Sequence, residues 1–402
     1  MKIDAKMFLK AFLTVIVVIV VCVLFSVAGL NTEVFSPFKQ AVDSYDITDV
    51  YMGFHKSQQV PSYDGTSVVL VDISSCETRS EIAEVIERVN AAKPRLIAMD
   101  IIFPHAISAD PVQDSLLTEA LSKVDNLVVA TEMRPVSGTS FVQFSSFFVE
   151  QTNAVEGLVS LPSGVIREWS PLMTVEGQQY PSLTKAITDV LEIPVPESEE
   201  LQLINYAIHD PLVIDAQEPW DPAFLEGQIV LMGDVYDARD TYQVPVSFRS
   251  SARQSGVYIH KQILMTCLAQ DYFKHVPTWL EYLISILLLF AVALVLSPLM
   301  EYAKNKENDM DDKFKQTPDD YTLKDFIVSF CFKHVVGTIQ VTLIVLSVAA
   351  GYFLFWCGGY IFDLIFLIAG FVLLYVSHQF VVASLKFFSK MIVIIRNRTR
   401  RK

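Results

Sequence analysis

Residues 11–30 read AFLTVIVVIVVCVLFSVAGL, twenty consecutive positions without a charged side chain. A helix rises about 1.5 Å per residue, so this run covers the roughly 30 Å hydrocarbon core of a bilayer. Three further runs have the same character: 279–300, apolar apart from Glu281, then 335–357 and 360–385, separated only by Gly358-Gly359. Backbone polar groups inside lipid must be satisfied within their own segment, so each run predicts a transmembrane helix. The two-glycine turn forces the last two into an antiparallel hairpin. The first run exceeds the roughly 7–15 apolar residues of a secretory signal core, which favours an uncleaved anchor.

The basic residues set the orientation. Lys2, Lys6 and Lys10 precede the first span, five Lys lie in 301–325, and seven Lys and Arg occupy the closing stretch 384–402, whereas the Gly-Gly turn has none. Positive charge stays cytoplasmic, so both termini are expected inside. The chain then divides into a cytoplasmic tail (1–10), span (11–30), outer domain (31–278), span (279–300), loop (301–334), two spans (335–357, 360–385) and a basic tail (386–402). The segment 301–325, with eight acids and five Lys, reads as a solvated loop. The basic tail is a candidate for contact with anionic membrane lipid, at about 1 kcal/mol per residue near the surface. The expected location is a bacterial inner membrane.

The outer domain carries 34 Asp and Glu against 15 Lys and Arg, a local net charge of −19 that disfavours nucleic acid as a partner. Its Cys76 and Cys267 leave a single disulfide open, and neither they nor the seven His show zinc spacing, so no metal or cofactor is expected. SVVLVD (67–72), RLIAMDI (95–101), NLVVAT (126–131) and QIVLMG (228–233) read as buried strands. Amphipathic helical patterns at 79–92 and around 112–122 lie between the first three, and further helices are expected at 182–191 and 256–273. Strands are also expected within 141–170 and 203–214. Strand-helix alternation predicts an α/β domain, a mainly parallel sheet flanked by helices, mounted on four transmembrane helices.

The order of VVLVDIS (68–74), Arg79-Ser80, IAMDIIF (97–103), LINYA (203–207), IVLMGD (229–234), Asp240-Thr241 with Pro245, and GVYIH (256–260) resembles the CHASE2 extracellular sensory domain of bacterial receptors. One span, an outer α/β domain and a further group of spans complete the likeness. A Trp-Pro pattern common in that family before the first helix is replaced here by SSCETRS (74–80). In many such receptors the last span leads into an output domain; here it leads into the short basic tail, which implies output through a separate protein.

Candidate site residues follow from the strand ends. Asp72 and Asp100 close parallel strands and should share one rim, where carboxylates either act on a ligand or cap the following helices. Arg79, at a helix start, is a candidate counter-ion for them. Asp234 and Asp240 in GDVYDARD follow another strand, either as ligand contacts or as turn and capping carboxylates. His260 lies on the last outer helix, either packed or responsive to pH. Within the spans, Gln340, Asp363, His378 and Gln379 are expected to serve helix packing rather than a transport path. No nucleotide-binding glycine fingerprint, P-loop or nucleophile elbow is present, so an enzyme is not expected. The resemblance implies a membrane sensor for a small extracytoplasmic ligand that acts through a separate cytoplasmic or membrane protein. A structural scaffold of an envelope complex is the alternative, and transport a third reading. A sensor should show a polar pocket near Asp72, Asp100 and Asp240, and a scaffold a broad apolar patch.

Overall fold

The computed structural model describes residues 5–31, 48–49, 52, 60–107, 110–137, 140–197, 199–208, 212–245, 253–270, 272–317, 320 and 322–399. The expected N-terminal tail at 1–4 and the end of the basic tail at 400–402 lie outside the described residues. The chain forms two compact units: a helical unit, Met1–Asp43 with His275–Lys402, and an α/β unit, Ser44–Lys274.

Helix α1 (Ala5–Asn31) opens the helical unit. The α/β unit then runs β1 (Val68–Asp72), α2 (Arg79–Ala91), β2 (Leu96–Met99), α3 (Pro111–Ser122), β3 (Leu127–Ser137), β4 (Ser140–Phe144) and β5 (Val155–Leu158). It continues through β6 (Glu168–Trp169), β7 (Leu172–Val175), β8 (Gln178–Pro181), α4 (Leu183–Val190), β9 (Gln202–Leu203) and β10 (Val213–Asp215). It closes with β11 (Ile229–Gly233), β12 (Thr241–Gln243), β13 (Arg253–Ser255) and α5 (Gly256–Ala269).

The main sheet has the order β10-β1-β11-β2-β3, with β5 beside β3 in parallel and β4 folded back antiparallel on the extended second half of β3. All other pairings in it are parallel. Side chains alternate across a strand, so the fully buried runs divide between two faces. Val69, Val71, Ile97, Met99, Val129 and Met232 pack with α2 and α3. Val68, Leu70, Ala98, Val128, Ile229 and Leu231 pack with α4 and α5. The result is a three-layer α/β/α sandwich. Helix α2 starts at a capping box in which the Thr78 hydroxyl accepts from Glu81 N and Glu81 reaches back to Thr78 N, satisfying two otherwise orphaned donors. Close approach is built in at Gly157 on β5, where an added Cβ would lie 2.6 Å from the Leu183 Cα of α4.

In the helical unit, α1 is joined by α6 (Thr278–Gln316), α7 (Leu323–Gly358) and α8 (Ile365–Thr399). All four are long and apolar enough to cross a membrane. Gly359, at φ 64°, takes the left-handed conformation that ends α7 and lets α8 begin six residues later. Three of these helices share a core of Ala11, Val15, Leu289, Ala293, Leu367 and Phe371. The helices outrun the apolar stretches: the expected loop 301–334 is helical over 301–316 and 323–334, and the start of the basic tail continues α8 to Thr399. Lys and Glu are good helix formers, and the Lys304–Glu307 and Lys313–Asp325 pairs, with the Thr322–Asp325 capping box, stabilise the extension. Where the runs meet, Lys10 Nζ donates to Glu301 at 2.6 Å, His378 Nε2 lies 3.7 Å from the same carboxylate, and His378 Nδ1 lies 3.3 Å from Thr14 Oγ1. Gln340 Nε2 donates to the Phe371 carbonyl at 2.6 Å.

Candidate ligand-binding site

Adjacent strands of the α/β unit send their following helices to opposite faces. The connections after β1 and β2 lead to α2 and α3, whereas the one after β11, which lies between them, leads to α5 on the other face. Loops that part this way leave a crevice at the carboxyl ends of the strands, the usual place for a ligand in an open α/β sheet. A cavity of about 750 Å³ opens there. It draws residues from the ends of five strands and from α5: Ser74 after β1, Asp100 after β2, Glu132 on β3, Val159 after β5, Asp234 after β11, and His260.

The expected residues separate in this setting. Asp100, Asp234, Asp240 and His260 line the cavity. Asp72 does not. It is buried, and its carboxylate accepts from Ser74 N at 3.0 Å, Ser74 Oγ at 2.9 Å and Val235 N at 3.2 Å, tying the loops after β1 and β11 together beneath the site. Helix α2 is capped by Thr78, so the capping alternative for Asp72 does not hold. Arg79 is not the counter-ion of Asp72 or Asp100. Its guanidinium pairs with Asp114 on α3, donates to the His105 carbonyl at 2.8 Å, and stands over the rings of Phe103 and Phe147. The delocalised, always-charged guanidinium found a buried carboxylate and two aromatic faces across the helix pair, a contact no local pattern encodes. Cys76 and Cys267 are free thiols held in separate clusters, and burial pushes Cys267 up to about 12.

Asp240 is fixed by the start of α5. The Gly256 N–H donates to Asp240 Oδ2 at 3.1 Å and to the Asp240 carbonyl at 3.1 Å, placing a carboxylate at a helix N-terminus, where the macrodipole favours it. A Cβ at 256 would lie 2.5 Å from Asp240 Oδ2, so any larger residue there displaces the carboxylate. Tyr242 bonds to Asp240, and its hydroxyl is pushed up to about 12, mainly by burial and then by the Asp240 charge. Burial raises the Asp100 carboxyl above its ordinary range; His260 opposes this and the Asp240 charge adds to it. His260 is only 4% exposed, and its Nδ1 has no hydrogen-bond partner.

Sequence reasoning missed Glu132 and Arg134, which line the cavity because β3 runs six residues beyond its expected end at Thr131. Their period-two spacing in TEMR was the available signal. Arg134 donates to Glu132 at 2.7 Å and stacks over Phe144, while Arg239 pairs with Asp237 and holds that carboxyl below its ordinary range. Among the described residues no group of three or more His, Cys, Asp and Glu is placed to hold a metal ion. The arrangement is suited to holding a polar molecule of moderate size against an acidic wall.

The CHASE2 domain family model matches residues 16–295, from within α1 through the whole α/β unit and into α6. No curated protein and no solved structure matches the chain. The family match covers well over half the sequence and spans the strands, loops and α5 that build the cavity, so the chain belongs to the CHASE2 domain family, a family of sensory domains.

Proposed function

We propose that the protein is a bacterial inner-membrane sensor, with the α/β unit on the extracytoplasmic side, a small ligand bound at the strand ends, and the signal passed to a separate cytoplasmic or membrane protein. The observation that carries this reading is the 750 Å³ polar cavity at the topological switch point, within the size range of small-molecule sites. The distribution of Lys and Arg around the four spans supports the orientation. In this reading the cavity residues bind: the carboxylates and His260 supply acceptors against a shaped wall. Helix α5 begins at Gly256, bonded to Asp240 on the cavity wall, and ends at Ala269, so the covalent route from the cavity wall to α6 is the segment 270–277. A ligand can drive that route only through unequal affinity for two arrangements of the receptor.

The test is thermal stabilisation of the full chain in detergent by a library of low-mass polar compounds, run against Ser160→Trp, which places an indole at the cavity rim. Saturable stabilisation of the wild type that the variant lacks is the expected result. Equal responses of the two proteins to every compound would remove the cavity from the reading.

A further inference from the structure

We propose that the ligand of this cavity is a cationic amine, its ammonium group seated among Asp100, Asp240 and His260 and its short carbon body laid along the apolar wall. The inference rests on the ligand-binding reading above and names the chemical class that reading leaves open.

Five carboxylates and two guanidiniums line the cavity. Each guanidinium is already matched, Arg239 by Asp237 and Arg134 by Glu132. Asp100, Asp234 and Asp240 remain, and among the described residues none of the three has an ion-pair partner. Asp234 spends one oxygen on the Tyr236 N–H of its own turn, at 2.8 Å, and Asp240 is held by Gly256 and Tyr242. No hydrogen bond reaches the Asp100 carboxylate from the described residues, although the group stands inside the fold. A part-buried carboxylate left this way is costly unless something charged or hydrogen-bonding arrives.

His260 is 4% exposed, faces the cavity, and has an unpartnered Nδ1. A neutral imidazole presents one acceptor nitrogen, whichever tautomer it takes. Asp100, Asp240 and His260 line the same cavity, and a neutral His260 supplies the third acceptor beside the two carboxylates. An ammonium group carries three N–H donors and no acceptor, matching that set. Beside these acceptors stand Ile73, Ile101, Ile102, Val159, Leu161 and Val257, a wall that accommodates carbon. The raised Asp100 carboxyl and Tyr242 hydroxyl both report a negative, part-desolvated environment that a cation would relieve.

The experiment compares matched sets of equal carbon number on the full chain in detergent: 1,4-diaminobutane, 1,4-butanediol and succinate, with the corresponding two-, six- and eight-carbon compounds. Calorimetric titration reads the dissociation constants. At least one amine should bind about tenfold or more tightly than its diol and diacid, as loss of a charge-assisted hydrogen bond implies. Asp100→Asn and His260→Gln should each weaken that amine by about tenfold. In the wild type, amine binding should tighten as pH rises through the raised Asp100 titration and should release protons, a readout that needs no variant. Diols or diacids that bind as tightly as amines, and are blocked by Ser160→Trp, would overturn the amine while leaving a ligand site in place. No compound of any set binding the wild type better than Ser160→Trp would overturn both.

Discussion

Gly256→Ala tests whether one backbone contact shapes the cavity wall. The new Cβ would lie 2.5 Å from Asp240 Oδ2, 3.0 Å from Oδ1 and 3.1 Å from Cγ, so the carboxylate must swing away from the start of α5. That breaks the 3.1 Å bond from Gly256 N–H to Oδ2, worth about 1.5–3 kcal/mol because the acceptor is charged. Alanine in place of glycine at a helical position returns about 0.5–1 kcal/mol. The net loss is about 1–2 kcal/mol, or a melting temperature lower by about 2–8 °C for a unit of this size. Thermal unfolding of the full chain followed by tryptophan fluorescence would report it, since Trp169 and Trp220 lie in the α/β unit. The decisive comparison is a double-mutant cycle with Asp240→Ala. Once the carboxylate is gone, alanine at 256 should stabilise the protein by about 0.5–1 kcal/mol, giving a coupling of about 2 kcal/mol. If Gly256→Ala costs the same in both backgrounds, the contact with Asp240 is not what makes glycine necessary.

Gly157→Ala has no side chain to push aside, because the first obstacle is the Leu183 Cα at 2.6 Å; moving α4 off the sheet should cost about 1–3 kcal/mol in chemical denaturation. Arg79→Ala leaves the mostly buried Asp114 without its cation, and a loss of about 2–4 kcal/mol is expected, somewhat below the cost for a fully buried pair. Arg79→Lys should recover only part of it, lacking the planar fork that reaches both Asp114 and the His105 carbonyl. For Asp100 the pH sign is the reverse of the usual carboxylate case. Its folded-state titration lies above the unfolded one, so the ligand-free fold loses stability as pH rises from the ordinary carboxylate value through the raised one. Asp100→Asn should remove that decline and raise ligand-free stability at neutral pH, as a melting series across the acid range would show.

Much of the architecture was legible because it is written in local, periodic terms. Uncharged runs announce helices long and apolar enough to cross a membrane whatever surrounds them, and VVLV, LIAM and IVLMG are apolar at every position because helices cover both faces of their sheet. The helices at 79–91 and 183–190 carried their own side-chain caps, and the one at 111–122 a proline in its first turn. Charge composition misled at 301–325, where alternating acids and Lys read as solvated coil although the same residues pair along a helix. The middle of the α/β unit, 141–214, broke into strands of two to five residues, too short for any period to register.

The sequence alone determined four helices long and apolar enough to cross a membrane, an acidic domain between the first two, and an α/β alternation whose strand ends had to share a rim. Which carboxylates on that rim face a cavity was decided only by tertiary structure. Asp72 and Asp100 close the two strands on either side of β11 in similar sequence contexts, yet the first is consumed by Ser74 and Val235 and the second is left open. Arg79 went to Asp114, 35 residues away, and His260 came to stand near Asp100, 160 residues before it. Periodicity and charge are properties of neighbours in the chain, whereas a carboxylate's partner is whatever the packing of distant elements brings within about 3 Å.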